Sequence, residues 1–161
     1  MIVYGYCCFV GSTDINILFI LLGVSVILPL FVRFAVFLFR RHSGGRKLLK
    51  RIDKMSGTEF EGFLADYFRK SGYEVVTTPA SNDYGADLIL ISGDEKTAVQ
   101  AKRYEAKVGN SAVQEIIAAK GYYETENAMV VTNSYFTANA INLAEANEVE
   151  LWDRDTLTDI L

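Results

Sequence analysis

The stretch DYGADLILISGDEKTAVQAKRY, residues 83–104, decides the fold. Two runs, Ala86–Ser92 and Thr97–Arg103, flank Gly93-Asp94, a pair suited to a tight turn. They predict two antiparallel strands joined as a hairpin. Side chains two apart on a strand share a face, so Gln100 and Lys102 point the same way with Ala101 behind them. Pairing of the two strands brings Asp87 beside them. A carboxylate, an amide oxygen and an ammonium then surround one point.

Working outward, residues 56–71 predict a helix, because Phe60, Phe63, Leu64, Tyr67 and Phe68 recur at helical spacing. Ser56 with Glu59 fits a capping box, and Gly72 is a natural stop. Tyr73–Thr77 reads as a short strand ended by Pro79, followed by turn residues from Ser81 to Gly85. Beyond the hairpin, Asn110–Tyr123 predicts a helix, Asn127–Thr132 a buried strand and Phe136–Ala146 a helix. Glu148–Trp152 is a last strand and Thr156–Leu161 a short final helix. The order α-β-β-β-α-β-α-β-α is that of a mixed α/β domain, a sheet with helices on its faces.

The hairpin constellation suits phosphodiester hydrolysis. A hard divalent cation, Mg²⁺ or Mn²⁺, takes a few oxygen ligands and keeps several waters. Asp87 would anchor it, and the Gln100 carbonyl would be a weaker neutral ligand. Lys102 would stabilise charge on the phosphate or orient water. Glu61, beside the apolar stripe of the first helix, is a further candidate. Each residue also has a plain reading. A strand lysine is often a solvated edge residue, and Glu61 with Thr58 fits a second capping box. Asp83 and Gly85 form a turn in which Gly85 takes positive φ, and Gln114 suits a polar helix face. His42 is the one histidine, and Cys7-Cys8 are adjacent, so histidine-dependent catalysis and zinc spacing are excluded.

The ordered set carries more weight than any member. It runs Gly57-x-x-Phe60-Glu61-x-Phe63, Gly72-Tyr73, Asp83-x-Gly85-x-Asp87 and Gln100-Ala101-Lys102-Arg103-Tyr104. It continues with Val113-Gln114-Glu115, Val131-Thr132-Asn133, Phe136-Thr137-x-x-Ala140 and Leu151-Trp152. This resembles the Mrr-like restriction endonuclease family of the PD-(D/E)xK nuclease superfamily, over essentially all of residues 54–161. The resemblance implies a restriction-endonuclease-like α/β core and a metal-dependent DNA endonuclease. It implies an active site of Asp87, Gln100 and Lys102, with Glu61 as a further catalytic and metal residue and Gln114 and Asp83 in support. Two departures stand out: Ala86 occupies the superfamily's proline position, and Gln100 replaces its usual acid, which removes a negative charge from the metal site. One such site per chain implies a homodimer or two independent nicks if both strands are cut.

The remaining sequence concerns location. Ile15–Val32, INILFILLGVSVILPLFV, holds no charge, and Arg33 then precedes a further apolar run, Phe34–Phe39. Eighteen residues fall just short of a hydrocarbon core of about 30 Å, and a snorkelling Arg33 allows the span to extend. We therefore expect one transmembrane helix at about residues 15–39 within an N-terminal segment 1–39. A basic juxtamembrane linker, residues 40–51, follows, and a nuclease-like domain occupies residues 52–161. Six positive charges in RRHSGGRKLLKR place that domain in the cytoplasm and the N-terminus outside. Residues 1–51 carry seven Lys/Arg against one acid, whereas residues 52–161 carry nine against nineteen. That acidic balance excludes DNA binding by bulk charge. It leaves room for two other functions on the same fold, a catalytically weak DNA-binding or sensing module and a membrane-anchored interaction scaffold.

Overall fold

The structure is a computed structural model and describes residues 27, 28, 32, 33, 45, 47–79 and 84–160. The expected transmembrane helix lies outside these residues apart from Ile27, Leu28, Val32 and Arg33, which are helical. Among the described residues no helix is long and apolar enough to cross a membrane. Asp83 and most of the basic segment 40–51 also lie outside them.

From residue 57 onward the order is α1 (Gly57–Lys70), β1 (Glu74–Thr77), β2 (Leu88–Ser92), β3 (Glu95–Lys102), α2 (Asn110–Tyr122), β4 (Asn127–Thr132), α3 (Ala138–Ala146), β5 (Val149–Trp152) and α4 (Arg154–Ile160). The five strands form one sheet in sequence order. The first three are antiparallel, and β3, β4 and β5 are parallel. Local chemistry sets the boundaries. The Ser56 hydroxyl accepts from Glu59 N, and the Glu59 carboxylate accepts from Ser56 N, the reciprocal box expected at the start of α1. Thr137 caps α3, so Phe136 lies outside the helix and bridges to Val108 instead. A bend at Asp87 shortens β2 at its start.

The sheet divides the core into two layers. One face packs Ile89, Ala98 and Val130 against α2 and α3 through Val113, Ile116, Ala140 and Ala144. The other packs Leu88, Leu90, Val99 and Val131 against Phe60, Leu64 and Phe68 of α1 and Leu157 of α4. Residues 47–52 are helical and join the second layer, where Leu49 and Ile52 are buried. Gly45 permits that approach: a Cβ there would lie 2.5 Å from the Thr158 carbonyl oxygen.

Candidate active site

The β2–β3 hairpin pairs Leu88 with Val99, so one step further sets Asp87 across from Gln100. Asp87 is tied to both neighbouring strands. Its N–H donates to the Val99 carbonyl at 2.9 Å, and its own carbonyl accepts from Thr78 N at 3.1 Å. Its carboxylate Oδ2 accepts the Ala101 N–H at 2.7 Å. That last bond holds the acid against the segment that presents Gln100 and Lys102.

Gln100 is almost fully buried. Its Nε2 donates to Glu115 Oε2 at 2.7 Å, and Lys102 Nζ reaches the same oxygen at 3.0 Å. Burial raises the Glu115 pKa. The hydrogen bonds from Lys102 and Gln100 and the Lys102 charge outweigh that, so the carboxyl lies below its ordinary value of 4.5. With Nε2 turned to Glu115, Gln100 Oε1 is a buried acceptor without a hydrogen-bond partner among the described residues. Such an orphan costs free energy unless something supplies a positive or donor atom.

The sequence reading anticipated Gln114; the structure shows Gln114 exposed and its neighbour Glu115 reaching the strand. A signal was present. Glu115 lies three residues after Ala112 and four before Ala119, both buried, so it stands at the border of the inward face of α2, half exposed, with its carboxylate turned to the strand. Gln114 instead lies on the exposed side with Ser111 and Ala118. Glu115 also explains Gln100. A glutamate at position 100 would set two carboxylates at hydrogen-bonding distance, which cannot both stay ionised. The negative charge missing from the strand is thus present 2.7 Å away on the helix.

Gly85 locks the loop to this helix. It adopts φ +93, and a Cβ there would lie 2.8 Å from Glu115 Cβ and 2.9 Å from its carbonyl oxygen. Glu61 lies elsewhere around the acid. With Asp87, Thr58, Gly62, Thr77, Thr78, Pro79 and Leu88 it lines a cleft of about 420 Å³. The structure thus groups Gln100, Lys102 and Glu115 directly. Asp87 joins them through the Ala101 backbone, and Glu61 stands along the cleft that Asp87 borders.

Behind Lys102 lies a network that sequence reading missed. Arg154 donates from both terminal nitrogens to Asp53 at 2.8 Å, and Asn133 Nδ2 donates to the same carboxylate at 2.9 Å. The Arg154 hydrogen bond is the main cause that holds the Asp53 pKa below its ordinary value. Asn133 Oδ1 accepts from Tyr104 N, and Thr132 Oγ donates to the Lys102 carbonyl at 2.7 Å. Asp53 and Arg154 are 101 residues apart, so no local pattern announces them. The network fixes the end of β3 where Lys102 projects.

The donor set suits a hard cation. Among the described residues no group of three or more His, Cys, Asp or Glu is assembled. A cation here would combine the Asp87 carboxylate with neutral oxygen. The unpartnered Gln100 Oε1 is the observation that fits.

Comparison with known proteins bears on the fold and on the family. A DNA modification-dependent restriction endonuclease, AspBHI, superposes with TM-score 0.56 and 21% identity over 73% of this chain and 34% of its own. The MspJI restriction endonuclease, solved in complex with a 27-mer oligonucleotide, gives TM-score 0.50 and 19% identity over 73% of this chain and 30% of its own. A protein of unknown function, AF1548, gives TM-score 0.51 and 14% identity over 60% of this chain and 62% of its own. At these identities the likeness is one of fold, and the chain spans less than two thirds of each of these structures. No curated protein matches. The sequence profile of the family described as Restriction endonuclease (Mrr_cat) matches residues 52–161, and the chain belongs to that family.

Proposed function

We propose that residues 52–161 form a Mg²⁺-dependent DNA endonuclease, held at the cell membrane by the N-terminal apolar helix with the domain on the cytoplasmic side. The observation that carries the reading is the convergence of Asp87, Gln100, Lys102 and Glu115 at one end of the β2–β3 hairpin, in a chain of the restriction endonuclease family. Asp87 and Gln100 Oε1 would hold the cation, with Glu61 able to contribute from the cleft. When bound, such a cation supplies Lewis acidity toward a phosphodiester and toward water.

The chain's own groups have definite parts. Lys102, whose ammonium has three N–H donors and gives one to Glu115, would offer another to a phosphate oxygen as negative charge develops there. Glu115 is a positioning residue that aims the ammonium and fixes the Gln100 amide through its Nε2, leaving Oε1 without a partner among the described residues. The Ala101 N–H orients the Asp87 carboxylate. A basic run after Phe39 and an uncharged stretch from Ile15 to Val32 support the anchored topology.

One observation favours a second reading, a DNA-binding module with weak catalysis: Lys102 is already engaged by the Glu115 carboxylate. Incubation of the full chain in detergent with supercoiled plasmid separates the two. The nuclease reading expects nicking in Mg²⁺ or Mn²⁺ and none in EDTA. DNA retention by a folded protein without nicking in either metal would favour the binding module.

A further inference from the structure

Two aromatic rings stand beside this site with no part in the chemistry described. Tyr84 and Tyr122 stack with centroids 3.8 Å apart and planes inclined by 23°. Both remain largely exposed, 52% for Tyr84 and 58% for Tyr122. Tyr123 meets the Tyr122 ring edge-on at 4.9 Å.

The pair is tied to the active site from two directions. Tyr84 precedes Gly85, the residue packed against Glu115. Tyr122 lies seven residues after Glu115 on α2, about 10 Å along the same side of the helix. Tyr84 holds φ +51, a left-handed conformation uncommon for an aromatic residue. Strain of this kind persists where the surroundings over-determine it, and it concentrates at functional sites. Here it sets the Tyr84 ring on Tyr122 and not into the core.

We propose that the Tyr84–Tyr122 pair is a stacking platform for an unpaired nucleobase, so that the site takes single-stranded or locally opened DNA. The proposal rests on the nuclease reading for its substrate and names the form of that substrate. Stacking on tyrosine requires a base whose face is free, which an intact duplex hides. With nineteen acids against nine bases in residues 52–161, phosphate contacts alone give little affinity, and base–aromatic stacking adds an uncharged contribution to it.

The test is binding of fluorescent oligonucleotides to the full chain in detergent with Ca²⁺. A single strand is compared with a hairpin duplex, and 2-aminopurine in the single strand reports stacking. Tyr84→Ala and Tyr122→Ala are expected to weaken single-strand binding roughly tenfold and to remove the 2-aminopurine quenching. Duplex binding should be unchanged, and Tyr122→Phe, which keeps the ring, should behave as the parent. Equal losses on both DNAs, no loss on either, or no single-strand binding by the parent chain would overturn the platform. Cleavage is scored separately in Mg²⁺. A chain that stacks bases but never cleaves keeps the platform and loses the nuclease. A chain that cleaves duplex and ignores the tyrosines does the reverse.

Discussion

Glu115 places on a helix the negative charge that Gln100 withholds from the strand. The two side chains meet at 2.7 Å, so Gln100→Glu alone forces one carboxyl to take up a proton or move away. We predict a loss of about 1–3 kcal/mol at neutral pH, largely recovered in Gln100→Glu/Glu115→Gln, as denaturant titration would show. Recovery absent from the double variant would mean the contact is not what selects glutamine. Glu115 also has a pH signature. Its folded pKa lies below 4.5, so its stabilisation is complete above about that pH and disappears as pH falls through the folded value. Because its side chain is 46% exposed, the effect should stay under about 1 kcal/mol. Denaturation from neutral pH to about pH 3 should show a shallower acid decline in Glu115→Gln than in the parent; superimposable curves would contradict the assignment. Strand alternation placed Gln100 and Lys102 on one face, and the resemblance to a family, rather than spacing alone, singled out Asp87, Gln100 and Lys102 as a set. Sequence pattern passed over Glu115 because a helix face is read from its apolar stripe, and Gln114 and Glu115 differ there by one position.

Elements whose ends are fixed by adjacent residues were the legible ones. The Ser56–Glu59 box, the Gly93 turn and the β4 limits stand as their local chemistry dictates. Elements fixed by distant partners were not. Residues 47–51 read as part of a basic linker and Ile52 as the start of the domain, yet residues 47–52 are helical, with Leu49 and Ile52 both buried against the sheet and α1. The Asp53–Asn133–Arg154 network joins three remote segments. Gly85 lies between these cases: its positive φ is readable from turn chemistry, its contact with Glu115 is not. Gly85→Ala should therefore cost about 2–3 kcal/mol, combining left-handed strain with overlap. Gly93→Ala, at φ +62 with nothing within 4 Å of the new Cβ, should cost only about 1 kcal/mol. Thermal melts of the two variants check this; equal losses would show that the Gly85–Glu115 approach is loose.

Across the whole chain, charge is segregated, +6 in residues 1–51 and −10 in residues 52–161. In the proposed arrangement the basic run marks the cytoplasmic side and the acidic domain acts on DNA by local chemistry at one site. Flotation of the full chain with liposomes should carry it to the lipid fraction in about 1 M salt, since apolar insertion survives screening that releases surface-bound basic segments. Loss of the chain from that fraction at high salt would replace an anchor with electrostatic adsorption. The central claim is that Asp87 and Lys102 form a hydrolytic centre. Its most direct test is the rate of supercoiled-plasmid nicking by the full chain in Mg²⁺, beside Asp87→Ala and Lys102→Ala proteins shown by circular dichroism to be folded. We predict that each substitution lowers the rate by about 10²-fold or more while DNA retention by Lys102→Ala persists. Nicking that continues undiminished in both variants, or is absent from the parent, would contradict the account.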